Sequence, residues 1–258
     1  MHKELLKPFG IVLYVNTKCS IQSVVAIDEL KALVKEHHLV VLRGFTPPSK
    51  EELVDYAKSM GDLLRWEFGQ VMEMRVHEEP KNYLFTHGPV PFHWDGAFHQ
   101  VPRYLLFHCI QAPLQDCGGE SIFSNTSEIW NHANKEDKEK WSFLQITAKT
   151  EKVAHYGGCI TFPILQHHVD TNKSIMRFCE PVSPQELNPV EVYVEGFSNE
   201  ESESFISDLS KRCYQPEYCY AHIWEENDFL IADNYTLLHG RYAFKKYSPR
   251  HLRRIQVM

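Results

Sequence analysis

"PFHWDGAF", residues 91–98, sets His93 and Asp95 two positions apart with Trp94 between them and more aromatic residues on both sides. Alternation with period two is the signature of a strand, so His93 and Asp95 are expected on one face and Trp94 on the other. An imidazole and a carboxylate side by side can bind a metal, or can be an ordinary polar pair. Strand patterns surround this stretch. "LLRWEFGQVMEMRV", "NYLFTH", "RYLLFHCIQA" and "ESIFS" read as strands between Leu63 and Ser124, as does "GIVLYV" near the start. Later come "ITAKTEKVAHY", "ITFPILQHH" and "SIMRFCEP", then strands within "YAHIWEENDFLIADNYTLLHGRYAF" and "PRHLRRIQVM".

Helices are few. One is expected over 26–37, with Leu30, Leu33 and Val34 apolar, followed by a buried strand from Leu39 to Leu42. In "TPPSKEELVDYAKSMG", Pro47 and Pro48 break the chain, Ser49 caps and Gly61 ends the helix. Two short helices follow near 126–133 and 136–144. A longer one, capped by Ser198, turns Phe205, Ile206, Leu209 and Cys213 inward. Many strands with a few helices predict a mainly β protein, a β-barrel or jelly-roll core with flanking helices. No repeat, low-complexity stretch or linker is evident, so residues 1–258 are expected to form a single domain.

Composition narrows the function. Hydrophobic residues at 43% and charged residues at 24% fit a folded chain with a substantial core. A net charge of −7 argues against nucleic acid or an anionic membrane as partner. The cluster Arg250, Arg253 and Arg254 therefore needs a local explanation. Seven cysteines, an odd number without a CxxC pair, read as reduced and mostly buried thiols. The start resembles no signal peptide and no apolar run approaches ~18 residues, so a cytoplasmic protein is expected.

The counterpart to His93 and Asp95 lies near the end of the chain. "DNYTLLHGR" places His239 after an apolar strand, and Arg250 comes eleven residues later. There the alternation resumes, with Arg250, Leu252 and Arg254 on one face and His251, Arg253 and Ile255 on the other. Two histidines and one carboxylate leave half of an octahedral metal's positions open, as in the facial triad of non-haem Fe(II) oxygenases. Those positions accept a chelating cosubstrate and dioxygen. A chelating 2-oxo acid carries a second carboxylate, for which an arginine fork is the natural clamp.

HxD, a distal histidine and an arginine about eleven residues on resemble the 2-oxoglutarate-dependent taurine dioxygenase-like family, whose core is a double-stranded β-helix. "GGESIF" (118–123) strengthens the likeness. The resemblance implies Fe(II) held by His93, Asp95 and His239, with 2-oxoglutarate and O2 as cosubstrates. It also implies that Ser121 meets the far carboxylate of 2-oxoglutarate beside Arg250. "HHLVVLRGF", "FHWDGAF", "GGESIFSNT", "MRFCEP" and "DFLIADNYTLLHGRYAF" further resemble the members of that family that work beside an isonitrile synthase in pathways to aromatic isonitriles. This implies oxidation of a tyrosine-derived isonitrile to an unsaturated one, with the carboxylate kept or lost as CO2. Arg254, roughly 13 Å along the strand from Arg250, is then the candidate for the substrate carboxylate.

Three other readings keep the metal. One is a 2-oxoglutarate-dependent hydroxylase of a free amino acid or a sulfonate. Another is a non-catalytic cupin-like metal-binding protein, against which stands the pairing of Arg250 with Ser121. A zinc hydrolase lacks an evident general base. Plainer readings apply elsewhere. His37, His38, His167 and His168 read as solvated, and His99 lacks an acidic neighbour two positions away. Phe92, Trp94 and Phe98 read as core, and Arg253 as a solvated face of the terminal strand.

Overall fold

Several strands of this chain are apolar at every position, a pattern that requires burial on both faces. The computed structural model, which describes residues 2–15, 19–153 and 156–258, shows where each face goes. A seven-stranded sheet runs in the order His2–Leu5, Ile11–Tyr14, Leu39–Arg43, Phe229–Asp233, Tyr104–Gln111, His251–Val257, Met72–Arg75. A four-stranded sheet runs Cys219–His222, Ser121–Asn125, Leu237–Arg241, Val90–His93. Leu39, Val41, Leu105, Phe107, Leu230 and Leu252 of the large sheet pack with Phe123 and Leu237 of the small one, filling the space between them. Their alternate neighbours Val40, Leu42, Leu106, Phe229, Ile231 and Ile255 point the other way, into a second core.

That second core is closed by two helices. Ile27–His37 buries Leu30, Leu33 and Val34, and Lys50–Met60 buries Leu53, Tyr56, Ala57 and Met60. Ser49 and Glu52 form a reciprocal cap, with Glu52 N donating to Ser49 Oγ at 3.1 Å and Ser49 N to Glu52 Oε2 at 2.8 Å. The outer face of the small sheet, with Val90, Phe92, Ile122 and Leu238, is covered by the helices Thr126–His132 and Asn199–Cys213 and by a three-stranded sheet. The architecture is a double-stranded β-helix, or jelly roll, with flanking helices.

Local departures from expectation have local causes. "NYLFTH" is not a strand: Tyr83–Phe85 is a 3₁₀ turn, because Asn82 Oδ1 accepts from Leu84 N and Thr86 Oγ1 donates to Tyr83 O. Of "LLRWEFGQVMEMRV" only Met72–Arg75 forms a strand, with Leu63 making an isolated bridge to Val257, since Trp66 and Gly69 close a tight loop on each other. "ITFPILQHH" splits into Tyr156–Pro163 and Leu165–His167. The preceding strand is Gln145–Val153, and residues 154 and 155 of its expected span lie outside the described residues. Within "SIMRFCEP" only Ser174–Met176 is a strand. Among the described residues no helix is long and apolar enough to cross a membrane.

Candidate active site

The strand Val90–His93 ends at His93, and the chain then turns at Gly96, where φ is +83° and a Cβ would collide with the carbonyl of Gln100. Asp95 therefore sits in a turn, not on the strand as its spacing suggests. Its backbone is held by one buried side chain. Asp95 N donates to Asn234 Oδ1 at 3.0 Å, while Asn234 Nδ2 donates to Asp95 O at 3.1 Å and Pro102 O at 2.8 Å. Trp94 points away, edge-on to Phe162 and 5.5 Å from the Arg177 guanidinium. Arg177 in turn donates to Asn234 O.

His239 lies on Leu237–Arg241, directly across the strand pair from His93, with ring centroids 4.3 Å apart. Cross-strand register thus joins residues 146 positions apart in the chain. His93 Nε2 is 3.7 Å and His239 Nε2 is 3.6 Å from Asp95 Oδ1, and one ligand atom from each of the three falls within 4.8 Å of the others.

The donor chemistry suits a divalent metal. His93 Nδ1 hydrogen-bonds Pro91 O at 2.9 Å, which leaves Nε2 as the lone-pair nitrogen. Burial pushes both imidazoles below their ordinary value, His239 well below it with the neighbouring His93 adding to the effect. Both are therefore neutral ligands at pH 7. Burial pushes Asp95 up, but the Arg254 guanidinium, the two imidazoles and the Gln256 hydrogen bond outweigh it and hold the carboxyl below its usual range. Two neutral imidazoles and one carboxylate match the oxygen- and nitrogen-ligating, half-open set expected for Fe(II).

Arg250 and Ser121, expected together as a clamp, are in contact. Arg250 is buried and donates through Nη2 to Ser121 Oγ at 3.0 Å and through Nε to Gly119 O at 2.8 Å. Trp224 Nε1 also donates to Ser121 Oγ, at 3.1 Å. With two N–H groups on its oxygen, the Ser121 hydroxyl has its own proton free to donate. Burial pulls Arg250 down to about 9, with the Arg241 charge adding to it, so it stays a cation at neutral pH. Among the described residues no carboxylate lies in ion-pair range of it, so an incoming carboxylate finds a buried, unneutralised guanidinium. Phe123, two residues along from Ser121, stacks against the His239 ring at 6.4 Å, which brings clamp and triad to one interior.

Alternation holds along the last strand. Arg254 faces the interior, where Nη1 is 3.0 Å from Asp95 Oδ1 and Nη2 meets Met72 Sδ at 3.1 Å. Arg253 faces the other way, 3.4 Å from Glu73. Gln256 continues the inward series and donates to Asp95 Oδ2 at 2.5 Å, while its Oε1 accepts from Trp66 Nε1. Period two reaches Gln256 in the sequence as readily as Arg254. Nothing in the sequence marks Asn234 or Trp224. His168 and His38 depart from their solvated reading: His168 is buried and 3.2 Å from Asp233, and His38 is 3.5 Å from the same carboxylate. Burial opposes ionisation of Asp233, but the two histidines hold it far below its usual range.

A cavity of about 370 Å³ opens on His93, Asp95 and Arg254. Trp66, Phe68, Tyr83 and Phe85 line it, and so do Phe92, Trp94 and Phe98, the three aromatics expected as core. His99 lines it too, packed at 5.4 Å on Trp66. The 82–88 segment of this wall is gripped by Arg241, two residues after His239, which donates to the carbonyls of Leu84, Thr86 and Gly88 at 2.9, 2.8 and 2.6 Å.

Comparison with known proteins agrees with this geometry. The profile of the taurine catabolism dioxygenase TauD, TfdA family matches residues 6–256. A 3-((Z)-2-isocyanoethenyl)-1H-indole synthase of Fischerella ambigua is 46% identical over 256 residues, covering 98% of this chain and 94% of the relative. A tyrosine isonitrile desaturase of Pseudomonas aeruginosa is 36% identical over 234 residues, covering 88% and 80%. The crystal structure of PvcB from Pseudomonas aeruginosa superposes with a TM-score of 0.80 at 33% identity, covering 96% of this chain and 86% of that one. A second PvcB structure is described as an Fe, alpha-ketoglutarate dependent oxygenase from an isonitrile synthetic pathway.

Proposed function

The chain belongs to the TauD/TfdA family of Fe(II)- and 2-oxoglutarate-dependent dioxygenases, and from that premise we propose that it desaturates an isonitrile made from an aromatic amino acid, tyrosine in the first reading. The observation that carries the substrate class is the aromatic cavity that opens on His93, Asp95 and Arg254. The relative named for tyrosine isonitrile supports the phenol, and the 46% identical relative, named for an indole product, favours a second reading with a tryptophan-derived ring.

In this reading His93, Asp95 and His239 hold the iron, and Arg250 with Ser121 holds the far carboxylate of 2-oxoglutarate. When bound, iron and 2-oxoglutarate draw from dioxygen the oxidising equivalents that remove hydrogen from carbon. The protein's own groups orient and exclude water. Arg254 is assigned to the substrate carboxylate: Nη1 is engaged by Asp95, but the thioether on Nη2 is a weak acceptor that a carboxylate displaces at little cost. Apolar walls keep water from the carbon that is oxidised. The isonitrile must be formed from an amino group beforehand, so the chain works after an isonitrile synthase. The cysteines, all free among the described residues, fit a reducing, cytoplasmic setting, with residues 1–258 acting as one domain.

Purified protein incubated with Fe(II), 2-oxoglutarate, O2 and tyrosine isonitrile should yield succinate. The second product should be lighter than the substrate by two hydrogens, or by two hydrogens and CO2. Turnover of the tryptophan isonitrile alone selects the second reading. Succinate formation coupled only to a free amino acid or a sulfonate overturns both.

A further inference from the structure

"MRFCEP", 176–181, carries part of the resemblance and supplies no metal or cosubstrate ligand. It runs beside the strand that bears His93. Glu180 N donates to Phe92 O at 2.9 Å, and Phe92 N donates back to Glu180 Oε2 at 2.6 Å. Tyr214 OH donates to the same Oε2 at 2.9 Å. Both bonds fall on one carboxylate oxygen; among the described residues Oε1 takes none. Glu180 lines the cavity, half-buried, one residue pair away from a metal ligand.

The chain after it doubles back. Val182 and Val190 exchange backbone hydrogen bonds at 3.0 and 3.2 Å, so 180–190 forms one wall of the cavity. Cys179, Val182 and Val190 make that wall apolar. Asn188, two residues before Val190, also lines the cavity, and its buried Oδ1 has no hydrogen-bond partner among the described residues. The wall therefore offers hydrogen-bond acceptors in an apolar setting. A ligand with a donor there gains a charge-assisted bond. A ligand without one strips water from a carboxylate oxygen and returns nothing.

We propose that Glu180 is the residue that selects among aromatic substrates, its Oε1 accepting the hydrogen bond of a donor on the ring edge, the N–H of an indole or the O–H of a phenol. This rests on the aromatic-isonitrile reading. Because Glu180 N ties the main chain to Phe92 O, and Phe92 N and Tyr214 OH both hold Oε2, the distance from acceptor to His93 is set by the fold. The donor's position on the ring then determines which carbon is presented to the metal centre.

The test is binding to the anaerobic Fe(II)·2-oxoglutarate complex, read by visible absorption. The probes are the isonitriles of tyrosine, tryptophan, 1-methyltryptophan and phenylalanine. The wild type should bind at least one donor-bearing ligand about tenfold or more tighter than its donor-free counterpart. In Glu180→Leu that preference should fall below about twofold, with 2-oxoglutarate affinity unchanged. In Tyr214→Phe, which removes a partner of Oε2 only, it should persist. Equal wild-type affinity for phenylalanine, tyrosine and tryptophan isonitriles overturns the assignment of Glu180 while the aromatic reading stands, and this needs no variant to fold. Binding of none of the four, with binding of a free amino acid, overturns the aromatic reading and Glu180 with it.

Discussion

Arg254 Nη1 lies 3.0 Å from Oδ1 and 2.9 Å from Oδ2 of Asp95, so one guanidinium nitrogen spans both oxygens of the carboxylate in the metal triad. The pair keeps Asp95 ionised against its burial. Replacing Arg254 by Gln should weaken substrate binding by about tenfold or more and shift the acid limb of Fe(II) binding to higher pH, with 2-oxoglutarate affinity nearly unchanged. Arg250→Gln should do the reverse. Titrations of each ligand against both variants separate the two arginines, and loss of 2-oxoglutarate affinity alone in both would remove Arg254 from the substrate site.

In the proposed clamp, Trp224 orients the hydroxyl of Ser121. Its indole N–H occupies a lone pair of Ser121 Oγ that the hydroxyl would otherwise use elsewhere. Trp224→Phe should raise the KM for 2-oxoglutarate by about threefold to tenfold, the worth of one buried hydrogen bond, and leave metal affinity alone. Ser121→Ala should cost at least as much. A Trp224→Phe enzyme with an unchanged KM for 2-oxoglutarate would show that the hydroxyl needs no such orientation.

The fully buried Asn234 amide holds the backbone of Asp95 by two hydrogen bonds and the carbonyl of Pro102 by a third. Asn234→Ala should destabilise the fold by about 2–4 kcal/mol and weaken Fe(II) binding by about tenfold or more. Thermal melting and metal titration check the two effects. Full metal affinity in a folded variant would place the support of Asp95 elsewhere.

Acid should destabilise the metal-free protein in two stages. Burial lowers His93, His239, His108 and His222 below the 6.5 of the unfolded chain. As pH falls through that value the unfolded chain takes up protons that the folded one refuses, so stability present above it is lost toward lower pH. Asp95, Asp228 and Asp233, all held below 3.8 against their burial, add a second loss beneath that value. The Tm should therefore decline from about pH 7 to about pH 5 and again in stronger acid. A flat Tm over the first interval contradicts the neutral, buried state of these histidines.

What the chain discloses unaided follows from the range of each interaction. Ser49 and Glu52, three apart, reveal a helix start, and Arg250, Leu252 and Arg254 reveal one face of a strand, because both signals are local and periodic. His93, Asp95 and His239 are legible through ligand chemistry, although Asp95 sits in a turn that no alternation foretells. "NYLFTH" misleads because its β-branched and aromatic content suits a strand, while Asn82, Thr86 and the distant Arg241 bind its backbone into a tight turn. The grip of Asn234 on Asp95 spans 139 residues and leaves no pattern along the chain.

Arg241 ties the 82–88 segment to the strand of His239, and the facing wall is the hairpin 180–190. Neither stretch supplies a ligand to the triad or to the clamp. Two walls of the proposed substrate cavity thus lie apart in the chain from the residues proposed to hold iron and 2-oxoglutarate. On this reading a substitution in either wall is expected to change which ring fits while leaving the triad and the Arg250–Ser121 pair in place.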